Sequence, residues 1–108
     1  MKLVISVVNR DDRDVLRRAL MEAGYQATVV STTGGFLREG NATFLVGVED
    51  AEVPEVLRIM KENCHTRTRL VYPTPPLVEM APLISEPIEV QVGGAVVFVV
   101  PVESFQRY

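Results

Sequence analysis

The stretch TTGGFLREGNATF, residues 32–44, joins two apolar segments, 27–31 and 43–48, that are predicted to be strands. Its three glycines and one asparagine permit positive φ angles and a close approach of the backbone to a ligand. Consecutive amides in such a loop can bind an anion. Phe36 and Leu37 favour packing on the domain, on another subunit or on a ligand. A compact loop packed on itself explains the same residues, because a Gly-Gly pair without the P-loop lysine is a weak phosphate signal.

The residues before and after this stretch predict an alternation of strands and helices. Residues 3–8 are almost all apolar and β-branched, which suits a central strand. Apolar residues at helical spacing follow, with Asn9 or Asp11 as a cap and Gly24 as the residue that ends the helix. A second helix is predicted to begin at Asp50.

The C-terminal half is predicted to contain three strands and one long loop. A fourth strand is predicted at residues 66–72. Five prolines then occur within residues 73–87, so this segment is predicted to be a loop, and loops of this length are usually functional or mobile. Residues 88–92 and 95–102 read as two strands joined by Gly93-Gly94, a two-residue hairpin signal.

The order βαββαβ followed by a hairpin predicts a single α+β domain over residues 1–108. We expect its first six elements to form a ferredoxin-like sandwich, an antiparallel sheet with both helices on one face. The other face of that sheet is rich in valine. An exposed surface of this kind is unusual for a monomer, so we expect it to be buried between subunits.

Composition narrows the class of protein. The net charge is −3 and the pI about 5.1, which argues against a surface built for nucleic acid. No apolar run reaches the roughly 18 residues of a membrane span, and the N-terminal segment reads as a strand rather than as a secretory signal. The single Cys64 cannot form an internal disulfide, so a cytoplasmic location is expected.

The residues that could support catalysis are few. His65 is the one histidine, and its expected place is the end of the second helix, as a surface residue or a C-terminal cation. No histidine and cysteine have the spacing of metal ligands, and nothing resembles a nucleophile with its base. The sequence therefore predicts a binding module that is not an enzyme, has no cofactor and holds no metal.

Three motifs closely resemble the PII-like cyclic di-AMP receptor family. They are TTGGFLREGNATFLVGVED at residues 32–50, KENC at residues 61–64 and EVQVGGAVVFV at residues 89–99. The resemblance extends over the whole chain and is weakest in the proline-rich loop. It implies a PII-like homotrimer that binds cyclic di-AMP in a cleft at each subunit interface, with a glycine-rich ligand loop at residues 32–42.

The resemblance also implies a set of binding residues. Thr28 and the amides around the Gly-Gly pair would hold phosphate and adenine edges, other residues would line the pocket, and an aromatic ring from the last strand would pack against a base. The implied ligand-binding residues are Gln26, Thr28, Gly35, Phe36, Leu37, Asn41, Gly47, Phe98 and Arg107.

This chain departs from the family pattern at three positions. Gly24 and Gln26 stand where the family often has asparagine and arginine, and Arg107 matches the position of a glutamine near the C-terminus. An arginine can stack on adenine and offset phosphate charge, whereas a glutamine can only form hydrogen bonds.

The predicted function is that of a cytoplasmic, non-enzymatic signalling receptor. It would bind cyclic di-AMP in a homotrimer and transmit occupancy through the loop at residues 73–87 to an unknown downstream protein. One alternative is a PII-like trimer that binds another adenine nucleotide. A second is a regulatory scaffold trimer with a degenerate pocket and no nucleotide. A metal-tolerance trimer of similar fold is a poor alternative, because a cysteine and histidine cluster is missing from the sequence.

Overall fold

The computed structural model describes residues 1–32, 41–71 and 87–108. The regular elements of these ranges are β1 (Lys2–Asn9), α1 (Arg13–Glu22), β2 (Thr28–Thr32), β3 (Asn41–Val48), α2 (Val53–Cys64), β4 (Arg67–Val71), β5 (Ile88–Val92) and β6 (Ala95–Pro101). A short 3-10 turn precedes each helix. Most of the predicted glycine-rich and proline-rich loops falls at residues 33–40 and 72–86, outside the described residues.

The two ends of α1 follow from local sequence as predicted. The side chain of Asn9 accepts a hydrogen bond from the Asp11 amide at 2.9 Å, which caps the turn that leads into the helix. Gly24 has a φ of +89° just after the helix, and the Tyr25 amide donates to the Leu20 carbonyl at 2.9 Å. The chain therefore leaves α1 at a fixed angle and enters β2.

The strands form two antiparallel sheets, and this corrects two predictions. The larger sheet has the order β2-β3-β1-β6, and the smaller one pairs β4 with β5. The strand that continues the large sheet beside β1 is β6, so the prediction that β4 completes a βαββαβ sheet is wrong. The predicted hairpin is also wrong, because β5 and β6 pair with different partners.

The side chains explain why β6 rather than β4 joins the large sheet. Residues 95–100 are entirely apolar, whereas β4 carries Arg67 and Arg69 on one of its faces. Arginine is rarely buried without a partner, so the apolar strand is the better neighbour for the central β1. Gly93 and Gly94, with φ of +80° and +97°, allow the chain to turn out of the small sheet and into the large one.

Both helices cover one face of the large sheet. Alternate residues of β1 and β3, such as Val4, Val8 and Phe44, point to this face and are fully buried. They pack against the apolar stripes of the two helices. The stripes are formed by Leu16 and Leu20 of α1 and by Val56, Ile59, Met60 and Cys64 of α2.

The opposite face of the sheet is apolar and more accessible; we call it the open face. The register places the side chains of the central and C-terminal strands side by side, because Leu3 pairs with Val100 and Ile5 pairs with Phe98. Leu3 and Ile5 are half-buried, and Phe98 is 42% exposed. This is the valine-rich surface that the sequence predicted.

A partly buried ion pair holds the end of the small sheet where β4 begins. The carboxylate of Asp12, which is only 3% exposed, accepts hydrogen bonds from the Arg67 guanidinium at 2.8 and 3.4 Å. Arg67 also donates to the carbonyl of His65 at 3.3 Å, and the Gly94 amide donates to the Cys64 carbonyl. The small sheet is thereby tied to the start of α1 and to the end of α2.

We predict that Gly93→Ala destabilises the protein more than Gly24→Ala does. Both glycines have positive φ, so each substitution carries the strain of an L-residue in that region, about 1 kcal/mol or more. A Cβ at Gly24 meets open space, whereas one at Gly93 meets Arg67, the His65 carbonyl and the Asp12 carboxylate. We therefore expect Gly93→Ala to lose about 2 kcal/mol more unfolding free energy.

Urea unfolding measures this difference. The two variants are compared with the parent at one chain concentration, because assembly would make stability depend on concentration. Equal losses in the two variants would contradict the crowding described at Gly93.

Candidate functional site

A cleft of about 760 Å³ opens at the end of the large sheet where β2 begins and β3 ends. Four parts of the chain contribute its walls: the start of β1, the last turns of α1 with the turn into β2, the end of β3, and the C-terminal segment. The lining residues are Met1, Leu3, Arg17, Met21, Tyr25, Gln26, Ala27, Thr28, Leu45, Gly47, Val102, Phe105 and Arg107.

The floor of the cleft is formed by neighbouring positions of three strands. Thr28 pairs with Leu45, and Gly47 pairs with Leu3, so these residues lie on the open face of the sheet. A Cβ at Gly47 would meet the Met1 side chain at 3.6 Å, an ordinary contact. Gly47 does not have the positive φ that requires glycine, so its effect is to leave space above the strand.

One wall is held by the aromatic ring of Tyr25. This residue follows α1, packs against the core, and donates its hydroxyl to a Glu55 carboxylate oxygen of α2 at 2.5 Å. That hydrogen bond, together with desolvation and the carboxylate charge, raises the pKa of Tyr25 to about 12. The hydroxyl therefore stays protonated at neutral pH, and the ring is anchored between the two helices.

The C-terminal segment forms the opposite wall. The Val102 amide donates to the Met1 carbonyl at 3.2 Å, which continues the contact of β6 with β1. Beyond it, the Arg107 guanidinium lies 5.9 Å from the centroid of the Phe105 ring, within the range of a cation–π contact. Phe105 is 61% exposed, so its ring remains accessible to a ligand.

Among the described residues, the side-chain charges that line the cleft are positive. Arg17 and Arg107 line it, and its lining within the described residues includes no aspartate or glutamate. The amino group of Met1 pairs with Asp50 at 3.0 Å, and this hydrogen bond lowers the pKa of that carboxyl. The remaining lining is mostly apolar or aromatic, so the cleft suits an anion that carries flat rings.

Four of the predicted binding residues lie together in this cleft: Gln26, Thr28, Gly47 and Arg107. Two others do not. Asn41 is buried at the other end of β3, about 20 Å along the strand from Gly47. Phe98 lies in β6, and the two intervening strands separate it from β2 by about 14 Å.

The remaining predicted binding residues, Gly35, Phe36 and Leu37, lie outside the described part of the chain.

The sequence patterns described above do not identify Arg17, which lines the cleft. Helical spacing identifies only the residues of α1 that face the core, and the helix ends at Glu22 before the chain returns into β2. An arginine in the last turns of such a helix lies near the start of the next strand. This closeness to the next strand is the feature of the sequence that could have identified Arg17. Phe105 also lines the cleft and is not among the binding residues that the sequence predicts.

Other kinds of site find little support in the described ranges. They include no group of three histidine, cysteine, aspartate or glutamate side chains arranged to hold a metal ion. Burial raises the pKa of the Cys64 thiol to about 12, so this side chain is protonated and a poor nucleophile. Neither helix has the length and apolar character that a membrane span requires, over residues 1–32, 41–71 and 87–108.

Known proteins are similar to this chain over essentially its whole length. The model of a family described as cyclic-di-AMP receptor matches residues 1–108. A crystal structure of a functionally unknown protein from Pediococcus pentosaceus ATCC 25745 is similar, with 45% sequence identity and a TM-score of 0.80. The similarity covers 99% of this chain and 96% of that one.

Proposed function

Since the chain belongs to the cyclic-di-AMP receptor family, we propose that it is a non-enzymatic cytoplasmic receptor that binds cyclic di-AMP and transmits its presence to a downstream protein. Membership of the family supports the binding and signalling role. The observation that carries the proposal is the cleft itself. It gathers Gln26, Thr28, Gly47 and Arg107 around a space without acidic lining residues in the described chain.

The chemistry of the ligand fits these residues. Cyclic di-AMP carries two adenines and two phosphodiesters, each with one negative charge. The hydroxyl of Thr28 and the amide of Gln26 are hydrogen-bonding partners for phosphate or adenine edges. Arg107 can pair with a phosphate or stack on a base, and Gly47 leaves room for a ring above the sheet.

We further propose that the receptor is a PII-like homotrimer with a ferredoxin-like fold in which β6 takes the place of the fourth strand. The apolar open face supports this proposal, because burial of such a surface between subunits would stabilise a chain of only 12.0 kDa. Each binding site would then join the cleft of one subunit to the open face of the next.

We predict that the protein has about three times the chain mass of 12.0 kDa in solution and binds one cyclic di-AMP per chain. Light scattering measures the mass. Calorimetric titration with cyclic di-AMP, cyclic di-GMP, ATP and AMP measures the preference, which we expect to favour cyclic di-AMP.

The other outcomes distinguish the alternative functions. Binding of ATP or AMP in preference to cyclic di-AMP would favour a receptor for another adenine nucleotide. A trimer that binds none of the four would favour a regulatory scaffold. A monomer would contradict the interfacial site.

A second prediction concerns Phe98, which does not line the cleft of its own chain. If the neighbouring subunit supplies this ring, Phe98→Ala weakens binding by roughly 1–3 kcal/mol, the range for stacking of a base on an aromatic side chain. A variant with a filled cleft, Gly47→Leu, should also bind weakly. Each variant alone then has a defect at every site.

Mixing the two variants tests where the ring comes from. In a cyclic trimer, every mixed assembly contains one site with an intact cleft from one subunit and an intact Phe98 from the next. Random co-assembly should thus restore full affinity at about a quarter of the sites. If both residues act within one chain, co-assembly restores none, and the interfacial site is contradicted. Mass measurement of the mixture controls for assembly.

We propose that occupancy is transmitted through residues 73–87, of which the structure describes Pro87 alone. The support is the sequence: five prolines lower the entropy of the unbound loop, and its apolar side chains gain a surface to pack on when a ligand binds. Hydrogen exchange of residues 73–87 should slow in the presence of saturating cyclic di-AMP. Unchanged exchange would remove the signalling role from this loop.

A further inference from the structure

We propose that Arg17 is a further ligand-binding residue of the cleft and supplies, from α1, a phosphate-binding charge that Gln26 lacks. This inference rests on the proposed function and extends it. A chain with glutamine at position 26 keeps a guanidinium in the cleft, because a different element contributes one.

The placement of α1 brings Arg17 to the cleft. Arg13, one turn earlier on the same side of the helix, donates to the Ser31 hydroxyl at 3.4 Å, so this side of α1 lies along β2. Arg17 comes next and lines the cleft, and Met21 follows one further turn along. These three side chains thus follow one side of α1 toward the start of β2, where Gln26 and Thr28 lie.

The charge of Arg17 is uncompensated among the described residues. Three other arginines are engaged: Arg13 pairs with Asp14, Arg58 with Glu62 and Arg67 with Asp12. Arg17 has no ion pair of this kind in the described chain, and the cleft lining described above has no carboxylate. Among the described residues, an incoming anion therefore displaces no ion-pair partner of Arg17, and the charge of this side chain is available to it.

The charge of the cleft matches that of the proposed ligand. Cyclic di-AMP carries two negative charges, and the cleft presents two guanidinium groups from two different elements, Arg17 of α1 and Arg107 of the C-terminal segment. Arginine binds phosphate oxygens through two parallel hydrogen bonds, which lysine cannot do. The geometry assigns to Arg17 a phosphate on the β2 side of the cleft.

The test uses Arg17→Gln with Arg18→Gln as its matched control. Arg18 is the next residue of the same helix, is also exposed, and does not line the cleft. Both changes remove one positive charge from α1. We expect Arg17→Gln to weaken cyclic di-AMP binding about 10- to 100-fold in calorimetric titration, the range for a hydrogen bond to a charged group. Arg18→Gln should stay within about twofold.

Two further measurements separate a direct contact from a structural effect. Arg17→Lys should recover part of the affinity, since it restores the charge without the paired hydrogen bonds. The difference between Arg17→Gln and the parent should shrink as salt is raised, because salt screens the contribution of an exposed charge. Circular dichroism and light scattering on all variants verify fold and mass.

The outcomes distinguish this inference from the proposed function. If the parent binds cyclic di-AMP and the two glutamine variants bind equally, the role of Arg17 is overturned and the receptor function stands. If the parent binds ATP instead, the same pair of variants is titrated with ATP; a selective loss in Arg17→Gln supports the residue assignment while the ligand is overturned. A parent that binds neither nucleotide overturns both.

Discussion

The antiparallel pairing of β1 with β3 on one side and β6 on the other is the constraint on which the structure depends. It puts the N-terminal strand in the interior of the large sheet and brings the last strand of the chain beside the first. The helices then have an apolar surface to cover, and the C-terminal segment emerges at the end of the sheet where β2 begins. The cleft lies at the end of the sheet where the last turns of α1 and the C-terminal segment come together.

Much of this fold could be predicted from local sequence. The apolar run of β1, the Asn9 cap and the positive φ of Gly24 each report a local preference, and each was confirmed. The choice between β4 and β6 could not be predicted in the same way. Gly93-Gly94 permits a hairpin and permits a change of sheet equally well, so only competition between whole strands for β1 decides it.

Some residues of the candidate site could likewise be predicted from the sequence, and others could not. Gln26, Thr28 and Gly47 could be named because the resemblance implies them. The strand register places Thr28 and Gly47 on one face, and the turn into β2 adds Gln26 to the same cleft. Arg17 could not, since helical periodicity says which residues face the core and is silent about the rest of the surface. Asn41 and Phe98 do not line the cleft of the single chain, so the structure of one chain does not bring them into the candidate site.

The buried thiol of Cys64 has a practical consequence for studies of motion in this protein. The sequence contains one cysteine, which is fully buried and protonated at neutral pH. Maleimides react with exposed thiolates, so we expect Cys64 to resist labelling while the protein is folded. An additional cysteine on the exposed strands β4 or β5 would therefore accept a fluorophore selectively, without removal of a core residue.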